Sequence, residues 1–122
     1  MTATHTDEFK HWRLSTDLDG IAWLVLDHAD EAVNTLGSPV LAELDAIIEG
    51  LEADHPTGLV LMSGKPKTFI VGADVREFDA TDKVSELEDN VRRVHGLFQR
   101  IESLPFPTVV AFEGYCLGGG LE

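Results

Sequence analysis

Two glycine-bearing segments and one carboxylate carry the chemistry that this sequence offers. Gly118-Gly119-Gly120 is followed two residues later by Glu122, and Gly72-Ala73-Asp74 interrupts an apolar run further upstream. Glycine lets a ligand approach the main chain closely. Two main-chain N–H groups aimed at one oxygen can polarise a carbonyl. Losing one such donor typically costs about 2.7–4 kcal/mol of barrier stabilisation. A helix starting at Gly119 would add the positive end of its dipole. Glu122 would then sit on its first turn as a general acid/base. Spacing alone leaves other readings open. Three glycines also make a flexible turn or a close-packing site, and a single glutamate is often a solvated surface charge.

Both bends must be presented by ordered elements, and the hydrophobic pattern supplies them. Phe9 to Leu18 alternates as a half-buried strand, Asp19-Gly20 is a two-residue hairpin turn, and Ile21 to Leu26 is a nearly continuous apolar strand. Asp27 to Gly37 reads as a loop. Ser38 as cap and Pro39 at the first helical position open a helix. Its apolar face is Val40, Leu41, Leu44, Ile47, Ile48 and Leu51, and His55-Pro56 closes it. Gly58 to Ser63 is the next strand, Gly64 to Thr68 a turn, and Phe69 to Asp74 a short strand bending at Gly72. A long helix carries Val84, Leu87, Val91, Val94, Phe98 and Ile101 as a core stripe, with Ser85 and Glu88 as a capping box. Pro105 and Pro107 end it, and Thr108 to Glu113 leads to Gly114. This is strand–helix–strand twice over, which predicts an α/β fold with parallel pairing. In such sheets ligands bind beyond the carboxyl ends of the strands, where both glycine bends fall.

Composition narrows the partners. Nine basic residues face 22 acidic ones, a formal net charge of −13. That charge repels nucleic acid and anionic lipid, so neither is expected as a partner. Hydrophobic residues make up 43% of the chain, enough for a core within one domain or part of one. Residues 1–8 are expected to be a disordered tail and 9–122 the folded part. No run is long enough for a membrane span, and the first residues look like neither a signal nor a transit peptide, so a cytoplasmic protein is expected. Cys116 alone excludes an internal disulfide, and the apolar filler role suits it better than a catalytic thiol. The five histidines lack metal-ligand spacing, so no metal site is expected. Gly58 to Lys65 has the wrong spacing for a phosphate loop, and proline follows the lysine.

Three motifs, in this order, resemble the crotonase (enoyl-CoA hydratase/isomerase) superfamily: Glu31-Ala32-Val33-Asn34-Thr35-Leu36, Phe69-Ile70-Val71-Gly72-Ala73-Asp74 and Gly114-Tyr115-Cys116-Leu117-Gly118-Gly119-Gly120-Leu121-Glu122. They look most like the N-terminal hydratase domain of multifunctional fatty-acid oxidation proteins. The resemblance covers roughly residues 12–122. It implies a fold of repeated ββα units, of which this chain would be the N-terminal part. It also implies that the N–H groups of Ala73 and Gly119 hold the acyl thioester oxygen, and that Glu122 is the first of two catalytic glutamates. Ala32 and Val33, the segment Val71, Gly72, Ala73, Asp74 and Val75, and Leu117, Gly118 and Gly119 would line the coenzyme A site. Arg76 would stand near the phosphates, or be a solvated charge at a helix start. The implied reaction is addition of water to a trans-2-enoyl-CoA in β-oxidation. The second glutamate would lie past residue 122, so these residues by themselves are expected to be inactive and to expose apolar surface where a missing layer docks. No cofactor is expected in this chain. NAD would belong to a dehydrogenase domain downstream, and the intact protein would be oligomeric, with a thiolase subunit as one candidate partner. Double-bond isomerisation and a non-catalytic acyl-CoA-binding module stay open as alternatives.

Overall fold

The computed structural model describes residues 3–70, 72, 84–112 and 114. Its elements in chain order are β1 (Ala3–Glu8), β2 (Trp12–Asp17), β3 (Ile21–Leu26), α1 (Ser38–Asp54), β4 (Gly58–Ser63), α2 (Val84–Glu102) and β5 (Thr108–Val110). The described strands form one sheet in the order β1-β2-β3-β4-β5. The first three pair antiparallel, and β3, β4 and β5 pair parallel. Parallel neighbours need a crossover, which α1 and α2 provide. The expected double strand–helix–strand arrangement is therefore present.

The α1 face is the centre of the core. Val40, Leu41, Leu44, Ile47, Ile48 and Leu51 are all buried, together with Trp12, Leu24, Leu26 and Leu59 from the sheet. Trp12 is almost wholly buried, and its indole N–H donates to the Val40 carbonyl at 3.0 Å. That bond satisfies the ring's polar end and fixes α1 against β2. Arg100 on α2 donates to Asp45 and Glu52 on α1 at 2.6 and 2.7 Å, bracing the two helices.

Several expectations are corrected. Ala3–Glu8 is a strand paired with β2, not a disordered tail. Its polar residues lack a hydrophobic signal, and main-chain pairing at the sheet edge supplies the order. The hairpin loop has three residues rather than two, and only Gly20 takes positive φ, at 82°. Asp17 builds this turn: its carboxylate accepts from the N–H groups of Asp19 and Ile21 and from the Trp23 indole. The α1 cap is Gly37, one residue before Ser38, with no side-chain cap bond. Helix α2 is already formed at Val84, so Ser85 lies inside its first turn, one residue past the expected cap position; its side chain lies outside the described ones.

The α2 stripe is only partly core. Among its described side chains, Val91 is 53% exposed, Val94, Phe98 and Ile101 are half-buried, and Leu97 is buried; the Val84 and Leu87 side chains lie outside the described ones. Phe69 and Ile70 are buried but lie outside any strand; they plug the core from a bend. β5 stops at Val110, short of the expected Glu113. Val109, Val110 and Phe112 at this end are exposed, the apolar surface that the sequence leads one to expect.

Candidate functional site

The carboxyl ends of the parallel strands gather three loops. Residues 27–37 leave β3, residues 64–72 leave β4, and residues 111–114 leave β5. Between the second and third of these lies a cavity of about 300 Å³ bounded by Met62, Ser63, Lys65, Thr68, Ala111 and Phe112. This is the crevice position in which open α/β sheets take ligands. Phe112, on its rim, meets the buried Phe69 with ring centroids 6.0 Å apart.

The first glycine bend is held from the β3 loop. Leu36 N–H donates to the Gly72 carbonyl at 2.8 Å, and Gly72 has φ 122°, a conformation open to glycine. The approach to the second bend is held against the β4 loop. Gly114, at φ 75°, packs on the Lys67 main chain so tightly that a β-carbon would overlap the Lys67 carbonyl. Lys67 itself is left-handed, at φ 61°. The segment leading to the glycine triplet thus passes beside the turn that leads to Gly72.

One side chain organises the interior of these loops. Asn34 is fully buried. Its carbonyl oxygen accepts from His28 N–H, and its amide nitrogen lies 2.9–3.0 Å from Leu26 O, Ser63 Oγ and Phe69 O. The sequence motif quotes this residue, but nothing in its type or spacing reveals the role. Among the described residues, the hydroxyls of Thr35, Thr68 and Thr108 are buried without a hydrogen-bond partner. Such a group costs about 1–3 kcal/mol. Thr68 borders the cavity.

A second cavity of about 410 Å³ lies on the β2 side, against His11, Arg13, Asp27, His28 and Lys65. Its charges are largely spent on each other. Lys65 Nζ lies 2.6 Å from Asp27 and donates to His28 O at 2.8 Å, while Arg13 reaches Asp27 at 3.3 Å. The Lys65 hydrogen bond, aided by both cations, holds the Asp27 carboxyl below its usual range. The His11 and His28 rings meet at a tilt, with centroids 4.4 Å apart, and His11 Nδ1 accepts from Ala29 N–H. Burial lowers the His11 pKa against the opposing pull of Glu43.

Of the expected site residues, Ala32 is exposed, Val33 is half-buried and Gly72 is buried. Ala32 and Val33 lie in the loop that reaches Gly72 through Leu36. Val71, Ala73, Asp74, Val75, Arg76, Leu117, Gly118, Gly119 and Glu122 lie outside the described residues. So does Cys116. Among the described residues, no cluster of histidine, cysteine and carboxylate could hold a metal ion.

The model of the enoyl-CoA hydratase/isomerase family matches residues 18–122. The fatty acid oxidation complex subunit alpha of Aliivibrio fischeri is 43% identical over 108 residues, which cover 87% of this chain and 16% of that protein. The subunit of the same name from Shewanella halifaxensis is 40% identical over 117 residues, covering 95% of this chain and 16% of that protein. The crystal structure of an enoyl-CoA hydratase/carnithine racemase from Magnetospirillum magneticum superposes with a TM-score of 0.85 at 25% identity. It covers 98% of this chain, which spans 45% of that one. The chain thus spans about 16% of the length of the curated relatives it matches.

Proposed function

Because the chain belongs to the enoyl-CoA hydratase/isomerase family, we propose that the protein of which these residues form part adds water to trans-2-enoyl-CoA thioesters in fatty-acid β-oxidation. The fatty acid oxidation subunits at 40–43% identity support the pathway. The observation that supports the chemistry is that Gly72 and Gly114, which adjoin the two glycine segments, both lie at the carboxyl ends of the parallel strands. Gly72 is gripped by Leu36, and Gly114 lies against Lys67, at the same ends of the parallel strands.

The N–H groups of Ala73 and Gly119 then bind the thioester oxygen as it gains enolate character. Water adds through oxygen to C3, and a proton is delivered to C2. Glu122 shares the proton handling with a second carboxylate supplied by residues beyond 122. These 122 residues alone are therefore proposed to lack turnover. Ala32, Val33 and the segment from Val71 to Arg76, with Leu117 and Gly118, are proposed to wall the coenzyme A portion. Local contacts of that kind suit a polyanion bound to a protein of net charge −13. The reaction uses no resident cofactor, and NAD would serve a separate dehydrogenase domain. A cytoplasmic, oligomeric enzyme that associates with a thiolase fits the same reading. Among the described residues, no helix is long and apolar enough to cross a membrane.

The test is hydration of crotonyl-CoA by the full-length gene product containing these residues. Formation of 3-hydroxybutyryl-CoA is expected, with Glu122→Gln lowering kcat by about 10²–10⁴-fold. A moved double bond in place of a hydroxyl would reassign the protein as an isomerase. Binding without turnover would make it an acyl-CoA-binding module.

A further inference from the structure

We infer that Asn34 is a positioning residue for this reaction: its buried carboxamide and the Leu36 N–H two residues later clamp the Phe69–Gly72 bend at two points. The inference rests on the hydratase reading above. Asn34 Nδ2 lies 3.0 Å from Phe69 O, and Leu36 N lies 2.8 Å from Gly72 O. The same carboxamide is anchored at the ends of β3 and β4, through Leu26 O and Ser63 Oγ, each at 2.9 Å. His28 N–H completes its coordination at 2.9 Å. The bend is therefore referenced to the ends of two neighbouring parallel strands, β3 and β4.

The consequence follows from peptide geometry. The peptide unit after Gly72 is planar, and its carbonyl orientation fixes its N–H. That N–H is the donor proposed to meet the thioester oxygen. An oxyanion donor is effective only when it is held before the charge develops. Asn34 makes no contact with substrate in this account. It acts through the bend.

A general stability role predicts something different from a positioning role, and Asn34→Asp separates them. The variant is nearly isosteric, but when ionised it has no N–H to donate, and the Leu26 and Phe69 carbonyl oxygens, which can only accept, then face it. Amide hydrogen exchange on the 122-residue chain should show Leu36 N–H losing protection while amides within α1 keep theirs. In the full-length gene product, kcat for crotonyl-CoA should fall about 10–100-fold, the scale of a small misplacement, with KM changed by less than about threefold. Ile47→Val, in the core of α1 and away from the site, should lower the melting temperature without moving kcat. Unchanged Leu36 protection would overturn the inference. So would lost protection with unchanged kcat, and in that case wild-type turnover would leave the hydratase reading standing. Absence of turnover in the wild type would remove that reading, and the catalytic role of Asn34 with it.

Discussion

Gly114 and Lys67 meet main chain to main chain, with no room for a β-carbon between them. The contact joins the residue that opens the second glycine segment to the turn before the first. Gly114 is doubly constrained, because its φ of 75° would also strain any other residue. Gly114→Ala should destabilise the fold by at least about 1–3 kcal/mol from backbone strain alone. Displacement of Lys67 adds to that. Chemical denaturation gives the value, and a loss under about 0.5 kcal/mol would show that the two loops separate freely.

Two other glycines have the opposite character. Gly50 in α1 and Gly96 in α2 have open space where a β-carbon would go, and neither has positive φ. Glycine within a helix costs about 0.5–1 kcal/mol relative to alanine. Gly50→Ala and Gly96→Ala should each raise stability by about that amount. They touch different helices, so the double variant should be close to additive. A drop in melting temperature for either would indicate a neighbour pressed against that helix face.

How much of this was legible in the sequence depends on whether a feature is periodic. The α1 face could be read because six apolar residues recur at helical spacing, and all six are buried. The parallel pairing followed from element order. Val91 was misplaced: it is exposed, while Leu97 is buried and Arg100 reaches α1; periodicity reports a face but not its partner. Ala3–Glu8 was missed because edge pairing uses main-chain groups that carry no side-chain pattern. Asn34 lies in a motif, yet its four partners are separated from it by 6, 8, 29 and 35 residues. Only a folded structure brings them together. The glycine bends were placed by their position after strands. Gly72 lies in the loop after β4, as that position predicts, while Gly118, Gly119 and Gly120 lie outside the described residues.

Arg100 gives a prediction about salt. Its guanidinium bridges Asp45 and Glu52 across the helix pair, at 2.6 and 2.7 Å, and the bond to Glu52, followed by that to Asp45, holds it firmly protonated. The side chain is 35% exposed, so solvent screens the pair. Arg100→Met should cost about 1 kcal/mol or less at low salt. The difference from the wild type should shrink as ionic strength rises and the Debye length falls to a few ångströms. A larger, salt-independent loss would point to packing of the arginine stem against α1.

His11 links stability to pH. It is buried, meets the His28 ring at a tilt, and offers Nδ1 as an acceptor to Ala29 N–H. Protonating Nδ1 would evict that bond. Burial is the main cause of its lowered pKa; Glu43, 3.9 Å from Nε2, and Asp30 oppose the shift, while His28 and Lys10 add to it. The unfolded chain therefore binds the proton more readily than the folded one, and stability must rise with pH across this window. The contribution is fully present above the ordinary histidine pKa near 6.5 and is lost as pH falls through the lower folded value. Asp17 and Asp27 are also depressed, Asp17 chiefly by its bond to the Trp23 indole and Asp27 by Lys65. Their contributions are present above the ordinary aspartate value near 3.9 and disappear only as pH falls through their still lower folded values. The two windows are separate. Urea denaturation between pH 7.5 and 5 should show a decline that His11→Asn reduces, while the steeper loss below pH 4 persists in that variant. An identical slope in both proteins above pH 5 would assign the decline to other groups.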